Sequence, residues 1–359
     1  MYIQTDMETL RHRHMAIVLV LLAAGLILLL TTGCSRQYVM TERGPQAYYQ
    51  TSLPVHDTSR ELERIFRSVK RINVTAHFNT FIFNPDRNLT LQDLEDRDLY
   101  DIADDRVIFT DSKAGTAIII ASTPHQTALI TNEHVVDYPD TLIDYYKTPD
   151  GDRTPYIQQI SIKIQQINLI YDLPELGAFD ILARDERNDI AIIGVQHRND
   201  STRRRAPVLR TLPGNPERLS WGSFVYVLGY PKGYQMVTRG IVSDPNRDRH
   251  AGFVLDALFN KGISGGLILA IRGETGEMEW IGIARAGSAA TEMILVPRDK
   301  DPEDADLFRP YEGNIYVKPD RRIEYGITLP VSMKAIQTFL KEHKTQLERK
   351  GYSISRFID

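Results

Sequence analysis

A single cysteine, Cys34, stands in a chain of 359 residues, so no intramolecular disulfide can form and the fold must be held by its apolar core. A charge excess of either sign is missing as well. Lys and Arg number 43 against 47 Asp and Glu, a net charge of −4 that gives no global field to draw DNA, RNA or an anionic surface. Nucleic acid is therefore not an expected partner. The one basic cluster, Arg203-Arg204-Arg205, follows Asn199-Asp200-Ser201-Thr202 and reads as a solvated polar loop. No period of roughly 20–50 residues recurs, which excludes a repeat array. The acidic stretch over residues 91–105 lacks an ordered loop of oxygen ligands, so it reads as a turn or short helix. No metal and no cofactor is expected. What is present, 42% hydrophobic residues, suffices for a sizeable core divided between two packed units.

The one long apolar run lies at the N-terminus. Arg11 and Arg13 precede residues 15–30, which carry apolar side chains and Gly25 only, and Thr31-Thr32-Gly33-Cys34 follows. As a helix this run reaches about 24 Å, short of a hydrocarbon core of about 30 Å. It resembles a secretory signal closing on a bacterial lipobox, although Thr31 stands where leucine is common. Cleavage before Cys34 and lipidation of its thiol are the expectation, with an uncleaved membrane anchor as the other reading. Both place the chain in a bacterial cell envelope, on the periplasmic side. Residues 35–58, rich in Gln, Tyr, Pro, Thr and Ser, show no periodicity and read as a tether.

Beyond the tether, Thr58-Ser59-Arg60-Glu61 has the form of a capping box opening a short helix through Val69, with Leu62, Ile65, Phe66 and Val69 on one face. Residues 72–78 alternate as a strand does. From Ala114 the chain becomes a series of short β-branched runs separated by Gly, Pro, Asn and Asp. Residues 117–121, 128–131, 160–170, 189–195, 224–228, 240–243, 253–255, 267–271 and 280–284 all read as strands, a spacing that suggests a barrel or sandwich. Met278, Trp280 and Ile283 read as core. A helix returns only over residues 331–349, where Met333, Ile336, Phe339, Leu340 and Leu347 form an apolar face.

The segment with chemical content is Asn260-Lys261-Gly262-Ile263-Ser264-Gly265-Gly266, a serine among glycines where backbone can approach a reacting carbonyl. Gly262-x-Ser264-x-Gly266 formally matches the nucleophile elbow of α/β-hydrolases. That fold requires a helix after the serine and a histidine later still. Residues 267–271 read instead as a strand, and the only later histidine, His343, lies between Glu342 and Lys344 on the terminal helix. Upstream, Thr131-Asn132-Glu133-His134 places a histidine just after one strand, and Arg187-Asn188-Asp189 places a carboxylate at the mouth of another. A serine gives up its proton to an imidazole effectively when a carboxylate fixes that imidazole's tautomer and charge, so His134, Asp189 and Ser264 are candidates to converge.

In this order and with these contexts the sequence resembles the trypsin-like serine peptidases, and among them the HtrA/Deg branch, over residues 69–339. Gly115-Thr116-Ala117-Ile118-Ile119-Ile120 is similar to the family's Gly-Ser-Gly-Phe-Ile-Ile strand, and Ile130-Thr131-Asn132-Glu133-His134-Val135-Val136 to its Leu-Thr-Asn-x-His-Val-Val. Asn188-Asp189-Ile190-Ala191-Ile192-Ile193 resembles the segment bearing its aspartate. Val227-Leu228-Gly229-Tyr230-Pro231-Lys232-Gly233 resembles its Gly-x-Pro-x-Gly run, and Leu255-Asp256-Ala257 through Gly266 its serine block. The resemblance implies an all-β fold of two β-barrels, over residues 59–205 and 206–330, with a helix and tail over residues 331–359. It implies His134 as general base, Asp189 as its orienting carboxylate, Ser264 as nucleophile, and the N–H groups of Gly262 and Ser264 as the oxyanion hole.

Leu258, Phe259, Asn260 and Lys261 would line the primary specificity pocket. None is acidic, so an apolar side chain is expected there and an Arg or Lys preference is not. The implied activity is a serine endopeptidase acting on envelope or unfolded proteins, with a protein or peptide substrate and a membrane anchor as partners. Relatives in the branch form trimers, which leaves a homo-oligomer open. The family's usual PDZ module has no counterpart up to Asp359, so no regulation through one is expected. Ile263 departs from the pattern, standing where the HtrA proteins have Asn and digestive enzymes Asp, and Leu267 replaces a small residue or proline. Because of Ile263, a silent barrel that binds extended peptide by β-pairing is the alternative function.

Overall fold

The computed structural model describes residues 48–54, 57–148, 151–171, 173, 177–197, 205–257, 259–285, 289–297, 315–323 and 327–358. Cys34, the apolar run before it and most of the tether lie outside these residues. Among the described residues no helix is long and apolar enough to cross a membrane.

Two curled antiparallel sheets and a C-terminal helix make up the fold, the all-β two-barrel architecture expected from the sequence. After helix α1 (Ser59–Phe66), the first sheet takes strands β1 (Val69–Ile82), β2 (Asp105–Ser122), β3 (Gln126–Thr131), β4 (Thr141–Lys147), β5 (Arg153–Ile170), β6 (Gly177–Ala178), β7 (Asp180–Asp185) and β8 (Ile190–Gln196). Their order is β4-β5-β1-β2-β3-β8-β7, with β6 on β5. One-turn helices α2 (Leu91–Leu94) and α3 (Leu99–Ile102) occupy the acidic stretch, and α4 (Glu133–Val136) follows β3. The second sheet takes β9 (Phe224–Gly229), β10 (Met236–Asp244), β11 (Val254–Leu255), β12 (Leu267–Ile271) and β13 (Met278–Ile283). After a separate hairpin of β14 (Ala289–Pro297) and β15 (Ile315–Ile323), β16 (Val331–Ser332) closes the order β11-β10-β9-β12-β13-β16, and helix α5 (Met333–Arg349) ends the fold.

The central strands read as unbroken apolar runs because both of their faces are buried. Alternate residues of a strand point to opposite sides. On β2, Ala117 and Ile119 join the interior of the first sheet with Leu129 and Ile193, while Ile118 and Ile120 join a second cluster. That second cluster also holds Leu228, Leu267, Leu269 and Trp280 from the other sheet and Phe339 from α5. Val225, Val227, Ile268 and Ala270 turn the other way, into the interior of the second sheet. Met278, Trp280 and Ile283 are core, as their sequence suggests.

Two local readings shift. The helix near Thr58 ends at Phe66, since Val69 already pairs with Ile118, and Thr58 is its N-cap by position without a capping bond from its side chain. Asp57 accepts the Ser59 N–H at 2.9 Å, while the Thr58 hydroxyl is bonded to the Tyr226 hydroxyl at 3.2 Å. The end of the tether is also part of the fold. Gln50 donates to the Ile271 carbonyl at 2.8 Å and its own carbonyl accepts the Phe224 N–H at 2.7 Å, adding residues 48–50 to the second sheet. Tyr49 is fully buried there, donates to Glu279 at 2.8 Å and accepts the Asn215 N–H at 2.9 Å. Arg272 pairs with the same Glu279, and burial followed by that carboxylate holds the Tyr49 phenol well above its usual range. A composition that reads as tether misses this because a single buried aromatic carries it.

Replacing Tyr49 therefore costs more than an exposed tether could. In urea unfolding of the full-length chain, Tyr49→Ala is expected to lose about 3–5 kcal/mol through the cavity. Tyr49→Phe is expected to lose about 1–3 kcal/mol through the stranded Asn215 N–H and the lost bond to Glu279. An unchanged midpoint in Tyr49→Ala would contradict the docking.

Candidate active site

The pairing of β3 with β8 brings the first two residues together. The strands are antiparallel, Thr131 lying opposite Ala191, so the end of β3 meets the start of β8. His134 sits in the turn that follows the one, and Asp189 immediately precedes the other. Asp189 has φ 56°, a left-handed conformation that aspartate tolerates better than most residues, and its carbonyl accepts the buried Asn132 amide at 2.9 Å. Both carboxylate oxygens then lie 2.9 Å from His134 Nδ1, and one also accepts the His134 backbone N–H at 3.0 Å. An ionised carboxylate only accepts, so Nδ1 carries the proton and Nε2 is left as an acceptor. Nε2 lies 3.1 Å from Ser264 Oγ.

Ser264 is presented by a turn just before β12 whose shape demands its glycines. Gly262 has φ 99°, and a Cβ there would lie 2.4 Å from the Tyr230 carbonyl oxygen; Gly265 has φ 84°, and a Cβ would lie 1.9 Å from that of Thr116. Two carbonyls fix the direction of the turn. Lys261 O accepts the Lys232 N–H at 2.6 Å, and Ile263 O accepts the Gly266 N–H at 2.7 Å. The N–H and C=O of one planar trans peptide face opposite ways, so these bonds turn the following N–H groups, those of Gly262 and Ser264, away from the anchors. Among the described residues neither N–H has an acceptor.

Thr116, whose role its sequence did not disclose, ties this turn to the first sheet. Its hydroxyl donates to the Gly262 carbonyl at 2.7 Å and accepts the Tyr230 N–H at 2.9 Å. Its N–H donates to the Ser264 carbonyl at 2.8 Å, and its carbonyl accepts the Thr131 hydroxyl at 2.7 Å. Thr116, Thr131 and Asn132 are all fully buried, and polar side chains within or directly after apolar strands are the signal that could have flagged them. Ile263 is 1% exposed and packs in the interior of the second sheet. Its Cδ1 lies 2.7 Å from where a Cβ on Gly229 would stand, so that glycine makes room for it. Apolar packing thus occupies the position where the resembling proteins carry a polar residue.

Around His134 the charges are mixed. Burial, and then Asp137 and Asp189, raise the Glu133 carboxyl above its usual range, while Arg184 pairs with Asp137 and lies 4.0 Å from Glu133. Burial lowers the Lys113 ammonium against the pull of Asp111, Glu133, Asp137 and Asp189. Among the described residues no group of His, Cys, Asp and Glu could hold a metal. Of the four residues expected to line a specificity pocket, Leu258 lies outside the described residues and Phe259 is 3% exposed within the core of the second sheet. A side chain so committed offers substrate little surface, which leaves Asn260, half-buried, and Lys261, exposed.

Residues 115–278 match the family model of the trypsin-like peptidase domain. No curated protein matches the chain. Among solved structures, the chain is similar to the HtrA-type protease AlgW with a tripeptide, at 17% identity and a TM-score of 0.41, covering 83% of this chain and 65% of that one. The same protease with a decapeptide gives 18% identity and a TM-score of 0.42, over 82% of this chain and 68% of that one. The chain thus spans about two thirds of the length of the structures it matches.

The Thr116 cross-link predicts a stability effect. Thr116→Val strands the buried Tyr230 N–H and the Gly262 carbonyl, and is expected to lower unfolding free energy by about 1–3 kcal/mol, while Thr116→Ser, which keeps the hydroxyl, costs less. Equal loss in the two variants would assign the effect to packing instead.

Proposed function

We propose that the chain is a serine endopeptidase that hydrolyses peptide bonds of envelope or unfolded proteins. The observation that carries this reading is the unbroken line from Asp189 through His134 to Ser264, with contacts of 2.9 Å and 3.1 Å. In this reading Ser264 Oγ attacks the scissile carbonyl carbon while its proton passes to His134 Nε2. Asp189 holds the ring in place and stabilises the imidazolium. The negative charge that forms on the carbonyl oxygen is met by the free N–H groups of Gly262 and Ser264, donors of a kind worth on the order of 10²–10³ in rate each. The tetrahedral species collapses, the C–N bond breaks, and Nε2 returns the proton to the departing amine. Water then attacks the acyl-serine ester by the same route and releases the acid, regenerating the hydroxyl. Nothing in this sequence needs a metal or a cofactor.

The accessible Asn260 and Lys261 carry no carboxylate, which supports a preference other than for Arg or Lys beside the scissile bond. We also propose that the enzyme is held in the bacterial envelope through Cys34, by lipidation or by the uncleaved apolar run before it.

The test is hydrolysis of unfolded casein by the full-length chain in detergent. Ser264→Ala is expected to abolish cleavage, and Asp189→Asn to lower kcat on the order of 10³–10⁴-fold by losing the tautomer-fixing acceptor. Cleavage persisting in Ser264→Ala would sink the mechanism.

A further inference from the structure

We infer that the outer edge of β2 over residues 105–114 is a binding surface for an extended, apolar stretch of the substrate polypeptide, running outward from the cleft. This rests on the peptidase reading and adds the substrate class. On its inner side β2 pairs with β1 without a register shift from Asp105 opposite Ile82 to Ile118 opposite Val69, whereas on its outer side β3 begins only at Ile118. Among the described residues no backbone group bonds to the outer edge of residues 105–114; the Arg106 and Ser112 N–H groups donate to the neighbouring Asp105 and Asp111 carboxylates at 2.7 and 2.9 Å, and the rest of the edge between them is open. Such an edge spans about 33 Å at about 3.3 Å per residue, room for a comparable length of added strand.

Folded proteins guard a free edge with charge, proline or a bulge. This edge has neither proline nor bulge, and most of its charges are turned to internal uses. Lys113 Nζ donates to the Asp137 carbonyl at 2.9 Å and lies over the Tyr138 ring, Asp111 accepts the Tyr138 hydroxyl at 3.0 Å, and Arg106 lies over the Tyr100 ring. Among the exposed side chains here, beside the polar Asp105, Arg106, Thr110, Asp111 and Ser112, stands an apolar centre: Ile108 is 73% exposed, Phe109 46% and Val107 43%. On the sheet face, from Ile108 of β2 across Asn79 of β1 to Ile164 of β5, lies a groove of about 480 Å³ also lined by Tyr100, Arg106 and Val107, within reach of long side chains that an added strand points to that face.

Continuity identifies the occupant. Past residue 114 the same strand reaches Thr116, whose N–H holds the Ser264 carbonyl, so the edge runs from the nucleophile outward. A second copy fits less well. Two-fold antiparallel pairing centred on Ile108 sets Asp105 against Asp111, and pairing centred on Phe109 sets Asp105 against a Lys113 already engaged with Asp137 and Tyr138.

The experiment measures binding of fluorescein-labelled unfolded casein to the full-length Ser264→Ala chain by anisotropy, with and without Ile108→Glu/Phe109→Glu. Both positions are exposed, and thermal unfolding checks that the fold is kept; Ile164→Glu in the groove is the second variant. Kd is expected to rise on the order of tenfold in each, and KM for casein cleavage to rise likewise in the Ser264 parent. An unchanged Kd overturns the proposal, as does a parent chain whose sedimentation mass falls in the edge variant, which would give the edge to a second copy. A parent that binds casein through the edge without cutting it would refute the peptidase reading alone.

Discussion

The hydrogen bonds that Thr116 makes across the two sheets are the constraint on which the site depends. His134 and Asp189 come from the first sheet and Ser264 from a turn of the second, so the three meet only if the two sheets are fixed relative to each other. Thr116 does this with its N–H on the Ser264 carbonyl and its hydroxyl between the Tyr230 N–H and the Gly262 carbonyl. Being fully buried, these bonds escape competition from water, and breaking one strands a polar group in a dry interior.

Given that cross-link, the turn tolerates Ile263. A polar residue there would hold the turn by a directed bond, whereas Ile263 holds it by filling the space that Gly229 leaves. The carbonyls of Lys261 and Ile263 are independently fixed by backbone donors. Direction is thus set by backbone and position by packing, and the side chain at residue 263 needs only the right volume. The docked residues 48–50 belong to the same interior: Tyr49 and Ile263 share one apolar cluster, so the start of the described fold and the turn bearing Ser264 are stabilised by the same burial.

Much of this was legible in the sequence, for reasons that differ by element. The runs over residues 117–121, 128–131 and 267–271 disclosed strands because burial on both faces makes them continuously apolar, and β12 was bounded as observed. His134, Asp189 and Ser264 were legible because each sits where a strand begins or ends, flanked by residues that mark such junctions. The edges of the first sheet were not. β4 and β7 carry mixed, half-exposed side chains without clean alternation, and the part of β2 before residue 117 was hidden because Asp105-Arg106 and Asp111-Ser112-Lys113 interrupt its apolar residues. Thr116 and Asn132 belong to recognisable motifs, but what they bond to lies up to 146 residues away, and no local pattern encodes that.

Activation of one serine by Asp189 and His134 is read most directly by covalent capture, which needs no knowledge of the natural substrate. The full-length chain treated with a fluorophosphonate is expected to gain a single adduct, located by mass spectrometry on the peptide containing Ser264, with labelling lost in His134→Ala. An intact chain that gains no adduct, or one labelled equally well without His134, would contradict it.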